Sequence, residues 1–413
     1  MKPKILFKGF EDDVWISSQF EEIFELIKNN SLSRAELSSE GRIGNIHYGD
    51  VLVKYGECLD TSSDSITYIR NDEIGEDLYR RGALKSGDII FADAAEDNTV
   101  GKCSELICND EEQIVSGLHT IACRPKIEIT KRYLGYYLNS NAYHNQLLPH
   151  IQGTKVSSIS RKAIVTTSIV YPFAQRVQEL IATYFYRLDN LISTSTSRLA
   201  SLKQVKEASL QAMFPQKGET VPKIRFKGFE GEWVITKAAE IFKTVNERNF
   251  SGLPVLSATQ DKGMVTRESI GYNIFHDKAN ESTYKHIRPG QFVMHLRSFQ
   301  GGFAHSAIEG ICSPAYTIME FKDKEVNHDL YWKYVLASKH FIKSLEMITY
   351  GIRDGRTISF DEFKEMVFLV PKVEEQQHIA SYFTSLDKQI ALQTQQLEKL
   401  RQIKAACLDK MFV

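Results

Sequence analysis

Nine residues near the start of the chain return near its middle, and this duplication constrains the fold more than any other feature. Pro3-Lys4-Ile5-Leu6-Phe7-Lys8-Gly9-Phe10-Glu11 comes back as Pro222-Lys223-Ile224-Arg225-Phe226-Lys227-Gly228-Phe229-Glu230, identical at eight of nine positions. Trp15 then pairs with Trp233, and Glu22-Ile23-Phe24 with Glu240-Ile241-Phe242. A longer match aligns Ala182 to Phe214 with Ala380 to Phe412, with 15 identities over 33 positions. Residues 25–170 and 243–370 show no such likeness. The order is repeat, variable, repeat, twice over, which makes two copies of a unit of roughly 200 residues and not a short-period solenoid. The boundaries that follow are a globular segment at 1–170, a helical repeat at 171–214, a linker at 215–221, a second globular segment at 222–370 and a helical repeat at 371–413.

The longer repeat has helical periodicity. Phe185, Leu188, Ile192, Leu199, Leu202 and Met213 follow a 3-4 spacing, as do Phe383, Leu386, Ile390, Leu397, Leu400 and Met411. That is heptad patterning, broken by aligned polar residues, Ser195 with Gln393 and Lys206 with Lys404. Tyr171-Pro172 and Val370-Pro371 mark the starts, because proline suits a helix entrance. No glycine or proline interrupts 173–214 apart from these entries, nor 372–413, so each repeat predicts a rod of roughly 60 Å at 1.5 Å per residue. One such stripe on its own equally fits an amphipathic helix facing its own core. Two matching stripes at the ends of two matching units most simply pair with each other, antiparallel if a pseudo-two-fold axis relates the units. The variable segments read as mixed α/β. Asp88–Ala92 and Gln291–His295 look like strands entered through Gly87 and Gly290, and Lys131–Leu148 and Asp329–Ile348 look helical.

Overall charge is uninformative, since 51 Lys and Arg oppose 52 Asp and Glu, but its distribution is uneven. From Ile129 to Gln178 there is no acidic residue. Ser282–Ile308 and Leu330–Leu345 are acid-free too. Phosphate contacts need a segregated positive field, and base reading needs Arg, Lys, Asn and Gln on exposed loops. Two polar loops lie just before the helical repeats, Gln152–Lys162 and Tyr350–Ser359. The candidate DNA contacts are therefore Lys131, Arg132, Gln152, Lys155, Ser157, Arg161 and Lys162 in the first half, and Lys285, Arg288, Arg297, Arg353 and Arg356 in the second. Any single run of this kind also fits an ordinary solvated face.

Several enzyme motifs fail. Glu96–Cys103 resembles a phosphate-binding loop, but Glu96 replaces its first glycine and Cys103 its Ser/Thr, which excludes the usual nucleotide cradle. There is no G-x-S-x-G, H-E-x-x-H or G-x-G-x-x-G. Asp354 with Glu362-Phe363-Lys364 has the acid and E-x-K arrangement with which nucleases hold a metal, and it stands as a minor rival. The six cysteines include no C-x-x-C pair, so no zinc site is expected and the thiols read as reduced. The start lacks the apolar core of a secretory signal, and no apolar run reaches membrane-spanning length, which together predict a cytoplasmic protein with no membrane partner.

The organisation resembles the specificity (S) subunit of type I restriction-modification systems, a host-defence family. The likeness spans nearly the whole chain. It rests on the alternating order and on Pro222–Trp233, Glu96–Lys102, Ser116–Thr120, Gln152–Ser160 and Glu374–Ala380. One departure is that Glu11-Asp12-Asp13-Val14-Trp15 is one residue longer than its counterpart. The resemblance implies an α+β fold, with two mixed target-recognition domains separated by two long helices in an antiparallel coiled coil. Each domain would read half of a bipartite site on double-stranded DNA. The helical repeats, through Phe185, Leu188, Ile192, Leu199, Leu202, Phe383, Leu386, Ile390, Leu397 and Leu400, would dock two methyltransferase (M) subunits. S-adenosylmethionine, ATP and Mg would sit on the M and restriction (R) subunits, and this chain would carry no catalytic residue, cofactor or metal. The rival from another class is a coiled-coil scaffold that binds only proteins.

Overall fold

Proline decides where the long helices begin. It fixes φ and disfavours helix in the residue before it, so Ser168–Pro172 and Val367–Val370 are strands. The helices follow at Gln175–Ala212 and Val373–Lys410, 38 residues each. The first starts later than Tyr171-Pro172 predicts, because those residues extend a strand paired antiparallel with Trp15–Gln19. The computed structural model describes residues 2–10, 12–153, 155–216, 218–259, 262–270, 278–295, 302–348 and 359–413. Two units emerge, Met1–Thr196 with Gln395–Val413, and Ser197–Thr394.

In the first unit a five-stranded sheet runs Phe24–Ile27, Thr120–Pro125, Ile89–Ala92, Cys103–Ile107, Cys58–Asp60. A four-stranded sheet runs Gln113–Ser116, Ile43–Ile46, Thr67–Ile69, Leu37–Ser38. In the second unit one sheet runs Phe242–Val245, Thr317–Phe321, Phe292–Met294, Phe303–His305, and another runs Gly263–Thr266, Val255–Thr259, Gly310–Cys312, Lys285–Ile287. The first four strands of each unit's larger plan follow the same order, although the two segments look unrelated in sequence. Ile89–Ala92 and Phe292–Met294 are strands as their apolar runs predict, entered through Gly87 and Gly290 at φ 99° and 82°.

The two expected helices of the variable segments are each broken in two. Lys131–Leu148 becomes Tyr133–Leu138 and Asn141–Leu147, and Asp329–Ile348 becomes Asp329–Leu336 and Lys339–Ile348. Side chains compete with the helix at both breaks. Ser140 Oγ donates to the Tyr137 carbonyl, and Ser338 Oγ accepts from the Phe341 N–H. Gly135 carries the first of these helices onto the sheet, since a Cβ there would meet the Glu57 carbonyl and the Glu105 side chain. The buried Glu105 carboxylate accepts from the N–H groups of Arg132 (2.5 Å) and Gly135 (2.8 Å) at that helix start. Burial pushes its carboxyl up to about 7.

Each unit packs part of one long helix against part of the other. In the first, Tyr184 meets Cys407 (3.3 Å) and Asp189 meets Lys404 (2.6 Å), so rising numbers on one helix meet falling numbers on the other. Phe185 stacks on Tyr136 (4.8 Å) and Phe412 (5.8 Å). In the second, Lys206 meets Asp387 (2.5 Å), Ser209 meets Tyr382 (2.9 Å) and Phe214 stacks on Phe383 (6.1 Å). The pairing within each unit is antiparallel, as the heptad stripes predict. The polar breaks in those stripes form matched clusters. Tyr136 donates to Asp189 beside Lys404, and Tyr334 donates to Asp387 beside Lys206, both hydroxyl bonds at 2.8 Å. Glu57 adds a second carboxylate on Lys404, at 2.5 Å. Burial acts to lower the Lys404 pKa, but Glu57 and Asp189 outweigh it and hold the ammonium above its ordinary range.

This pairing corrects the expected docking surface. Phe185, Leu188, Phe383, Leu386 and Leu397 are buried inside their own units, and Ile192, Leu199, Leu202, Ile390 and Leu400 are half-buried. The stripe faces the chain's own core because aromatic residues of each globular part pack on it. The apolar residues these helices expose are others, among them Leu191, Val205, Leu392 and Ile403.

Candidate nucleic-acid interface

Strand pairing gathers five loops at one end of the first unit's larger sheet. Ile89–Ala92 and Thr120–Pro125 are antiparallel with Ala92 opposite Thr120, so the chain leaves one strand at Asp93 where it enters the other from His119. The Asp93 N–H donates to the His119 carbonyl (3.0 Å), and the Ile159 N–H donates to the Asp93 carbonyl (2.8 Å). Ser157–Ser158 pairs with Ala94–Ala95, which draws the Gln152–Lys162 loop to the same edge. Asn29 bridges to Ser116, and Arg161 Nη2 donates to Asn29 Oδ1 at 2.6 Å. The Tyr48 N–H donates to the Leu118 carbonyl (3.3 Å), and its ring meets His119 edge-on with centroids 5.2 Å apart.

A buried polar scaffold holds the turn at the centre of this edge. Asn30, Asn45, Ser116 and Thr120 are all buried. Asn30 Nδ2 donates to Asn45 Oδ1 (2.7 Å) and to the Ser116 carbonyl (2.9 Å), while the Thr120 hydroxyl donates to the Gly117 carbonyl at 2.5 Å. Gly117 admits no side chain, since a Cβ would lie 2.6 Å from Asn45 Nδ2. His119 follows at φ 52°, a left-handed conformation uncommon outside glycine. Its Nδ1 donates to Asp93 Oδ1 at 3.1 Å, and half of its side chain is exposed.

Of the candidate contacts, Gln152, Lys155, Arg161 and Lys162 are exposed on this edge, with Ser157 half-buried beside them. Lys131 and Arg132 belong to the same acid-free run but go elsewhere. Asp60 pairs with Ile107 and Ile89 with Glu105, so Asp60 lies at the opposite end of the sheet from Ala92 and Thr120. Arg132 is held there, 2.6 Å from Asp60 with its guanidinium over the Tyr186 ring at 4.3 Å. In the segment that resembles a phosphate-binding loop, Lys102 is a strut, its Nζ donating to the Leu52 and Tyr55 carbonyls, each at 2.9 Å. Burial lowers its pKa.

The second unit's basic run is largely spent internally. Lys285 donates to the Tyr316 carbonyl (2.6 Å), and Arg288 grips Glu247 with two bonds of 3.0 and 2.7 Å. His286 is buried between Glu247 (3.2 Å) and Glu309 (2.8 Å). Acids distant in sequence therefore fold back on a stretch that has none, which corrects the assignment of Lys285 and Arg288 to a free positive surface. Arg297, Arg353 and Arg356 lie outside the described residues, as does Asp354 of the nuclease rival. Glu362 of that rival caps its own short helix, accepting from the Ser359 N–H at 2.9 Å, and Lys364 pairs with Asp361 at 2.7 Å. Among the described residues no group of three or more His, Cys, Asp or Glu is placed to hold a metal, and no helix is long and apolar enough to cross a membrane. His119, Asp93 and Tyr48 do not stand out in the sequence as contacts. For His119 the signal is a positive φ at a non-glycine residue, which only the backbone reveals.

Residues 230–402 match the family described as type I restriction modification DNA specificity domain. The chain is thus similar, over that segment of its second half, to the type I restriction-modification specificity domain. Across its full length it has the fold of the S subunit of a type I system from M. genitalium, with a TM-score of 0.62, 12% identity and coverage of 100% of this chain and 99% of that one. A chain from a structure of the assembly and conformational transition of a type I system aligns with a TM-score of 0.52 and 16% identity, over 99% of both chains. No curated protein sequence matches.

Proposed function

We propose that this chain is the DNA-reading subunit of a type I restriction-modification complex. Each unit reads one half of a bipartite site, the paired helices set the gap, and exposed helix residues such as Leu191, Val205, Leu392 and Ile403 take part in docking methyltransferase subunits. Those partners, with the restriction subunit, supply S-adenosylmethionine, ATP and Mg chemistry, and this chain works in the cytoplasm without catalysis. The observation that carries the reading is the convergence of Gln152, Lys155, Ser157, Arg161 and Lys162 on one loop edge. Basic side chains displace counterions from phosphate, so binding to duplex DNA is expected to weaken steeply with salt, with a log–log slope of about −0.9 per phosphate contacted. Titration of the full chain on duplexes from 50 to 200 mM salt measures this. A flat response favours the protein-only scaffold, and Mg-dependent cleavage by the chain alone favours the nuclease.

The ruler has its own test. One heptad is inserted in each helix, between Asp189 and Lys206 and between Asp387 and Lys404, so that both polar clusters keep their partners. Seven residues add about 10 Å, or roughly three base pairs. Methylation mapping in cells is expected to show both half-sites unchanged and the gap longer by that amount. An unchanged gap contradicts the ruler.

A further inference from the structure

We propose that the loop edge of the first unit divides its work: His119 and Arg161 read base edges, while Lys155 and Lys162 grip phosphate. The proposal rests on the reading of that edge as a DNA interface. It turns on which side chains are held in place before any ligand arrives. Base edges present donors and acceptors at fixed positions, so a reader must be aimed, whereas a phosphate tolerates a swinging cation.

His119 is aimed twice. Its Nδ1 is tied to Asp93 Oδ1 at 3.1 Å, and the Tyr48 ring lies against it with centroids 5.2 Å apart. A carboxylate only accepts, so Nδ1 carries the proton and Nε2, at the other end of the ring, is an acceptor in the neutral form. Adenine N6 and cytosine N4 are the donors it would match in the major groove. The backbone points the same way. At φ 52° a glycine would sit without strain, so the residue's use lies in its side chain.

Arg161 is held by Asn29 Oδ1 at 2.6 Å, which uses one of its five donors and orients the guanidinium plane. A planar fork so placed suits guanine O6 and N7. Asn29 Nδ2 also reaches the Gly117 carbonyl at 3.5 Å, so one residue ties Arg161 to the turn that carries His119. Lys155 and Lys162 are exposed, and neither has a side-chain partner among the described residues.

The experiment selects bound duplexes from a randomised pool at several salt concentrations, using the full chain with any methyltransferase that co-purifies with it. His119→Gly keeps the left-handed backbone and removes the ring, with His119→Asn as a second variant that tolerates the same φ. Arg161→Lys keeps the charge and removes the fork. Each is expected to relax preference at one base pair of one half-site by roughly 10- to 100-fold, with the salt slope unchanged. Lys155→Ala and Lys162→Ala are expected to weaken all sequences alike and to reduce the slope by about one. Uniform weakening by the His119 and Arg161 variants, with preferences intact, overturns the division of roles and leaves the DNA reading standing. Wild-type chain without salt-sensitive duplex binding overturns both.

Discussion

Lys404→Met is expected to lower the stability of the first unit by about 3–5 kcal/mol, the scale on which removing one partner of a buried ion pair acts. Lys404 Nζ lies 2.5 Å from Glu57 and 2.6 Å from Asp189, and its side chain is 17% exposed. Removing the ammonium leaves two carboxylates facing each other in a poorly solvated seam. Replacing the whole cluster, with Glu57→Gln and Asp189→Asn added, is expected to recover much of the loss, because no buried charge then remains unpaired. The pH dependence follows by sign. The Lys404 pKa is raised, so its contribution is full below the unfolded value of about 10.4 and is lost as pH rises through the folded one. In Lys404→Met the Asp189 carboxyl, which burial already raises, loses the cation that lowers it and binds a proton more readily when folded than when unfolded. The deficit should therefore shrink as pH falls from 7 toward 5. Urea unfolding at both pH values measures this. Equal stability of variant and wild type at pH 7 would mean that the cluster contributes nothing.

Phe412→Ala is expected to destabilise the same unit by about 3–5 kcal/mol, as large-to-small core changes do. Phe412 is 5% exposed and packs on Phe185 (5.8 Å), Tyr133 (5.9 Å) and Tyr137 (5.7 Å). The neighbouring backbone is also tied down, since the Lys410 carbonyl accepts from the N–H groups of Lys4 (2.9 Å) and Ile5 (3.0 Å). Phe412→Leu should restore part of the loss by refilling volume. Thermal melting followed by near-ultraviolet circular dichroism tests the series, and an alanine variant melting with wild type would contradict the packing.

Much of this architecture is legible in the residues. Heptad spacing and the aligned Lys206 and Lys404 announce two helices and a polar register within their seam, and these features are local enough for periodicity to carry. The strands at Ile89–Ala92 and Phe292–Met294 are legible for the same reason. The breaks at Ser140 and Ser338 are less so, because a serine inside an apolar helical pattern does not declare whether it caps. The Gln152–Lys162 loop is marked in the sequence by its polar and basic residues and its place before the helical repeat, whereas the left-handed backbone of His119 is not, since φ is invisible in sequence.

The duplication, the two long helices and the polar punctuation of their seam follow from the chain's order alone, because side-chain period is a property of neighbours in sequence. The usable positive surface does not. Asp60 takes Arg132 and Glu247 takes Arg288 from separations of 72 and 41 residues. Charge acts through space, and only strand pairing sets which charges share it.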